Sequence, residues 1–267
     1  MNSIIKISLF IIIAGLTLNS CGLLSAAGIV SNGQPTKDVP KDLSAKQETS
    51  VIIDHSDWSV LLQKHVTDAG WVDYKGFKND VAELDKYLQK LASCEPTNDW
   101  SSQELLAFYI NLYNAHTVKL ILDNYPVKSI KDIKGAWTKP IVPVENRKLS
   151  LGGIENGVLR KMNEPRIHFA VNCASVSCPK LWNEAYEGSK IDEQLEMATK
   201  SFINSDKNEI SKNDPKISSI FEWYKKDFKT DKTSGVIEYI NQYSEVKMDP
   251  AATIQYKDYD WGLNEQK

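Results

Sequence analysis

Cysteine and histidine are scarce in this chain: 267 residues hold four of each. No Cys-x-x-Cys occurs, so the thioredoxin-type redox motif is missing, and the His and Cys spacings match no common zinc pattern. Nor is charge of one sign concentrated anywhere. The net charge is −3 with acids and bases interspersed, and without a basic stripe nucleic acid is excluded as a partner. There are no internal repeats and no long low-complexity runs. The apolar stretch Ile7–Leu16 is too short, and wrongly flanked, for a stable membrane span. No pattern calls for a metal or a cofactor.

The N-terminus is instead read as a targeting signal covering residues 1–20. Lys6 precedes the apolar stretch, and Leu18-Asn19-Ser20-Cys21 follows it. Those four residues resemble the lipobox of bacterial lipoproteins. The resemblance implies cleavage before Cys21, a lipid on Cys21 and attachment to the membrane through it. Gly22, where an Asp would resemble an inner-membrane retention signal, points to the periplasmic face of the outer membrane. Residues 21–50 are then the lipidated Cys and a tether rich in Ser, Gly, Lys, Asp and Pro. A flexible tether of that length spans about 30 Å root-mean-square. In an oxidising compartment three cysteines remain: Cys94, Cys173 and Cys178.

Residues 51–267 are enough for one domain with a real core, centred on about 105–230. Apolar spacing predicts helices over 57–65, 79–94 and 191–204, with others near 218–224 and 234–243. Ser101 or Ser102 caps a long helix that ends before Pro126 and is apolar on most faces, hence central. Residues 141–144 and 147–149 read as a strand pair, Ser150 as a further cap, and 254–261 as a closing strand. The expected fold class is α+β, a helix-rich single domain around a small antiparallel sheet.

The run Arg166–Pro179, RIHFAVNCASVSCP, gathers His168, Cys173 and Cys178. Its first half alternates like a strand, which puts His168 beside Asn172 and on the face opposite Cys173. Asn111 and Asn114 are amides on the buried helix, where unpartnered groups cost about 1–3 kcal/mol. They either tie loops together or act on an imidazole or a substrate carbonyl. His116 shares that helix and is read as a satisfied core or rim histidine. Glu155 and Arg160, five apart, reach different elements.

FYINLYNAHTV, YPVKSIKDI, LSLGGIENGVLR, PRIHFAVNCASVSCPKL, NEAY and IFEWYKKDF, in this order, resemble the bacterial family called domain of unknown function 547. Its name implies no activity. The helix-then-strand order is also similar to the papain and transglutaminase architecture, a fold analogy that carries no function by itself.

Three chemistries compete for the site. In a thiol hydrolase or acyltransferase, Cys173 is the nucleophile, His168 its base, and Asn114 or Glu155 orients the imidazole. Amides of the turn at 174–177 would then form an oxyanion hole. In the second, Cys173 and Cys178 form a disulfide, a structural staple worth about 2–3 kcal/mol or a redox couple. In the third, the domain binds a glycan or peptide. Aromatic residues such as Tyr113, Trp182, Tyr186, Trp223 and Tyr224 stack on it, Arg160 and Arg166 hold carboxylates, and Asn111, Asn172, Ser175 and Ser177 supply polar contacts. Oligomeric state has no signature in the sequence.

Overall fold

The computed structural model describes residues 23–45 and 47–267. The proposed signal and Cys21 lie outside them. Helix α1 (Ser56–His65) and the one-turn α2 (Tyr74–Phe77) lead into α3 (Val81–Ala92). The long α4 (Ser102–Asn124) follows, then the strands β1 (Val142–Val144) and β2 (Arg147–Leu149). After them come α5 (Leu151–Gly157) and α6 (Ile191–Ile203), then β3 (Lys216–Ser218), α7 (Ile220–Trp223), α8 (Val236–Tyr243) and β4 (Gln255–Lys257).

The centre is α4. Its start is fixed by Ser101, whose hydroxyl accepts from the Glu104 amide at 3.1 Å. Leu105 to Val118 are buried without interruption, so every face meets protein. Packed around it are α3, α5 and α6. The Ser150 hydroxyl caps α5 by accepting from Gly153 at 3.0 Å. A second apolar cluster joins Phe169, Phe202, Phe221, Phe228 and Tyr239, and seats α7 and α8 on the far side of α6.

The helix-rich α+β expectation holds. The sheet, however, does not occupy the centre. Strands β1 and β2 form one antiparallel pair, and β3 and β4 form a separate parallel pair. Two peripheral pairs and a central helix without a cysteine give the likeness to papain and transglutaminases no support.

Two further expectations change. First, Pro165–Phe169 is a 3₁₀ turn, not a strand. The Glu164 carboxylate accepts from the Arg166 amide at 3.0 Å, and Pro165 sits where its fixed φ favours a helical start. Five alternating residues cannot outweigh a cap followed by proline, so the parity argument that parted His168 from Cys173 lapses. Second, residues 23–45 lie along the domain as a strap. Tyr109 donates to Gln34 at 2.8 Å, Asn156 donates to the Ala26 carbonyl at 3.0 Å, and Leu43 is buried. Composition argued for a tether because these residues bury little by themselves. The domain surface supplies the partners.

No helix among the described residues is long and apolar enough to cross a membrane.

Candidate functional site

Cys173 and Cys178 meet on a turn that is built from the backbone outward. Asn114 on α4 donates to the Ala170 carbonyl at 2.9 Å and accepts from the Asn172 amide at 2.8 Å. Asn172 in turn accepts from Ala174 at 2.8 Å and donates to the Pro179 carbonyl at 2.7 Å, closing the loop across both thiols. Ala174 is held at φ 59°, a left-handed conformation that costs an L-residue roughly 1–2 kcal/mol. The C-terminal segment then lies against the turn. Val176 donates to Gly262 at 2.8 Å and Ser177 to Asp260 at 3.1 Å, while the Ser177 hydroxyl accepts from Asp260 at 2.8 Å.

The two sulfurs stand 2.9 Å apart. A bonded pair would be near 2.0–2.1 Å, so these are two free thiols in hydrogen-bond contact. The expected disulfide is not formed. The Cys178 S–H directed at Cys173 is the largest influence on Cys173 and lowers its pKa. Burial opposes this, and the Ser175 and Tyr259 hydroxyls, 3.3 and 3.4 Å from the sulfur, reinforce it. Burial together with the neighbouring Cys173 pushes the Cys178 thiol well up. Cys173 is half-buried and Cys178 buried, so the less buried residue carries the more acidic thiol.

Above the thiols lies a cavity of about 400 Å³. Trp137, Trp223, Tyr224, Tyr259 and Trp261 wall it, together with Tyr113, Glu155 and His168. Trp223 and Trp261 stack with ring centres 5.9 Å apart, and Tyr259 packs 4.6 Å from Trp261. Glu155 accepts from Tyr113 at 3.1 Å and, more closely, from Tyr224. His168 stacks on Tyr224 at 4.0 Å, with Nε2 2.9 Å from Asp227. Arg160 grips the same carboxylate with two bonds of 2.6 and 2.9 Å. Burial opposes the charge on Asp227, but His168 and Arg160 hold its carboxyl below the usual range. Nδ1 of His168 is buried without a partner among the described residues.

Among the expected site residues, Cys173, Cys178, His168, Glu155 and Tyr113 share this cavity. Ser175 reaches Cys173 from the turn. The rest serve elsewhere. Asn114 and Asn172 spend their amides on the turn, and Ser177 binds the C-terminal segment. Asn111 clamps the Tyr186 backbone in both directions, at 2.7 and 3.0 Å, leaving no amide for catalysis. Arg166 is taken up by Glu164 and Asp192 at 2.7 and 2.9 Å. Together with Arg160 it lines a charged groove on the other side of His168. Of the expected aromatics, Trp223 and Tyr224 line the cavity. Trp182 faces a different hollow beyond Cys178, and Tyr186 is core. His116 borders a separate depression, buried, its pKa lowered to about 4 by burial.

Of the four turn amides expected in the oxyanion hole, only that of Ser175 has no protein acceptor among the described residues. Ala174, Val176 and Ser177 amides are all spent on protein acceptors, and the Cys173 amide points at Cys178 Sγ at 2.9 Å. Among the described residues, no hydrogen bond joins His168 to Cys173. Sequence reading missed Asp227, Tyr259, Trp261 and Trp137. Only Asp227 carried a signal, as part of IFEWYKKDF.

These features define a helix-rich α+β domain with a free dithiol beneath an aromatic cavity. Residues 97–203 match the family described as "Protein of unknown function, DUF547". The match holds both thiols, His168 and Glu155 and ends before Tyr224, Asp227, Tyr259 and Trp261. No curated protein and no solved structure matches the chain.

Proposed function

We propose that Cys173 and Cys178 are a thiol–disulfide exchange couple on a cell-envelope protein attached to the membrane through its N-terminal region. The observation that carries this reading is the pair of hydrogen-bonded free thiols, with the pKa lowered on Cys173, the less buried residue, and raised on the buried Cys178. That asymmetry suits attack by one sulfur and resolution by the other. The Cys173 thiolate attacks one sulfur of a substrate disulfide. That S–S bond breaks, a mixed disulfide forms, and the departing thiolate takes a proton from solvent. Cys178 then loses its proton and attacks Cys173 Sγ, releasing the second substrate thiolate, which is protonated in turn. The substrate gains two electrons and two protons, and the protein ends as a Cys173–Cys178 disulfide. The reverse sequence oxidises a dithiol. Attachment is supported by the apolar run Ile7–Leu16 and by Cys21 in its lipobox-like setting.

Hydrolysis or acyl transfer is the weaker reading, because no hydrogen bond joins His168 to Cys173 among the described residues and three of the four turn amides are spent on protein acceptors. The aromatic wall favours substrates that present apolar or stacking groups beside the disulfide, as a peptide does.

Cys178→Ser in the full chain should accumulate a mixed disulfide with oxidised glutathione, visible by mass spectrometry, while Cys173→Ser accumulates none at residue 178. Titration in glutathione buffers should interconvert dithiol and disulfide. A couple more reducing than about −300 mV is a structural staple and defeats the proposal.

A further inference from the structure

Four apolar side chains stand out from the N-terminal strap. Leu23, Leu24, Ile29 and Val30 are 59, 39, 62 and 37% exposed. Their backbone is nonetheless pinned. Besides the Asn156 bond to Ala26, Lys161 donates to the Ile29 carbonyl at 3.1 Å and Arg147 to that of Asn32 at 2.8 Å. The strap also lies on bare backbone of α5. A Cβ on Gly157 would stand 2.7 Å from the Val30 carbonyl, and one on Gly152 would meet Trp137 and Ala26. A seat this close, open only to glycine, holds the strap's backbone against α5 while the four side chains stay exposed.

The surroundings are cationic. Lys161 and Arg147 hold the strap itself. The loop 127–139, whose Trp137 carbonyl accepts from Gly152, carries four lysines against a single aspartate. Exposed apolar side chains on a segment held by Lys161 and Arg147, beside a lysine-rich loop, have the composition of a surface that enters the interface of an anionic bilayer. In the chain, Leu23 lies two residues after Cys21 and seven after the end of the apolar run, so attachment by either delivers this patch to the membrane.

We infer that the strap is a membrane seat. It lays Leu23, Leu24, Ile29 and Val30 into the headgroup boundary of an anionic bilayer, with the lysines of 127–139 on the lipid phosphates. The domain is therefore held against the membrane. Since Ala26 also lines the thiol cavity, that cavity borders the bilayer. The inference rests on the membrane attachment proposed above and is independent of the thiol chemistry.

The test uses the full chain in vesicles of phosphatidylcholine and phosphatidylglycerol at about 3:1, with a benzophenone amino acid in place of Ile29 or, separately, of Ile52. Ile52 is 80% exposed but lies outside the strap. Irradiation should give lipid adducts at position 29 about tenfold above those at position 52, and about threefold fewer in phosphatidylcholine alone. Equal yields at the two positions, with the chain recovered in the vesicle pellet, overturn the seat but leave attachment intact. Adducts to a second copy of the chain overturn it as well. A chain missing from the pellet overturns attachment and the seat together.

Discussion

Two regions build the thiol cavity in opposite ways. Between 102 and 179 three asparagines are consumed by backbone: Asn111 by Tyr186, Asn114 by Ala170 and Asn172, Asn172 by Ala174 and Pro179. Between 220 and 261 the chain bonds the turn through the Asp260 backbone and otherwise builds the cavity from side chains. It adds the faces of Trp223, Tyr224, Tyr259 and Trp261 and the carboxylate of Asp227. The first region therefore fixes where the sulfurs are, and the second fixes what they experience. Substitutions in the frame should act on stability, and substitutions in the wall on reactivity.

The largest stability effect is expected in the frame. Asn114→Ala orphans a buried carbonyl and a buried amide, and should cost about 3 kcal/mol by chemical denaturation. A loss under about 1 kcal/mol would mean the turn stands without α4. Asp227→Asn, at the junction, leaves Arg160 and His168 facing a neutral amide. It should cost about 2 kcal/mol, between the values for buried and exposed pairs.

Smaller still is a pH effect confined to the helical half. Burial lowers His55 and His116 from 6.5 to about 4. The folded state binds their protons less well than the unfolded chain does. The stability they contribute is thus complete above pH 6.5 and lost as pH falls toward 4. Denaturant midpoints should drop from pH 7 to pH 5, and His116→Gln should recover about 1–2 kcal/mol of that drop. Equal slopes for the variant and the parent chain would show that His116 is protonated at no cost.

The smallest stability effect carries the sharpest contrast. Tyr259→Phe should change stability by less than about 1 kcal/mol. It removes a hydroxyl from the Cys173 sulfur, so the pH midpoint of Cys173 alkylation should move upward. An unmoved midpoint would show that the wall is mere packing.

Much of the frame could be read from the sequence, and little of the wall. Ser101, Ser150 and the apolar faces of α3 and α4 act through neighbours a few residues away, which periodicity and capping rules capture. His168 was misplaced because Ile167, Phe169 and Val171 alternate as a strand would, while Glu164 and Pro165 set a helical turn just upstream. The thiol pair and Glu155 were legible as chemistry. Asp227 lies 59 residues from His168 and Tyr259 86 residues from Cys173, distances at which spacing carries no information. The strap was unreadable for a related reason: its order is lent by Asn156, Arg147 and Tyr109, far along the chain.

Those same separations set a timetable. The cysteines and the amides that position them are made well before the residues that cover them. At roughly 5–20 residues per second, the 86 residues between Cys173 and Tyr259 take about 4–17 s to follow. During that interval the two thiols can already meet beneath Trp137 and Tyr113, without Tyr259 and Trp261 and without the Asp260 and Gly262 bonds that complete the turn. The nascent chain is thus open to oxidants too large for the finished cavity, and it closes to them only as Tyr259 and Trp261 arrive.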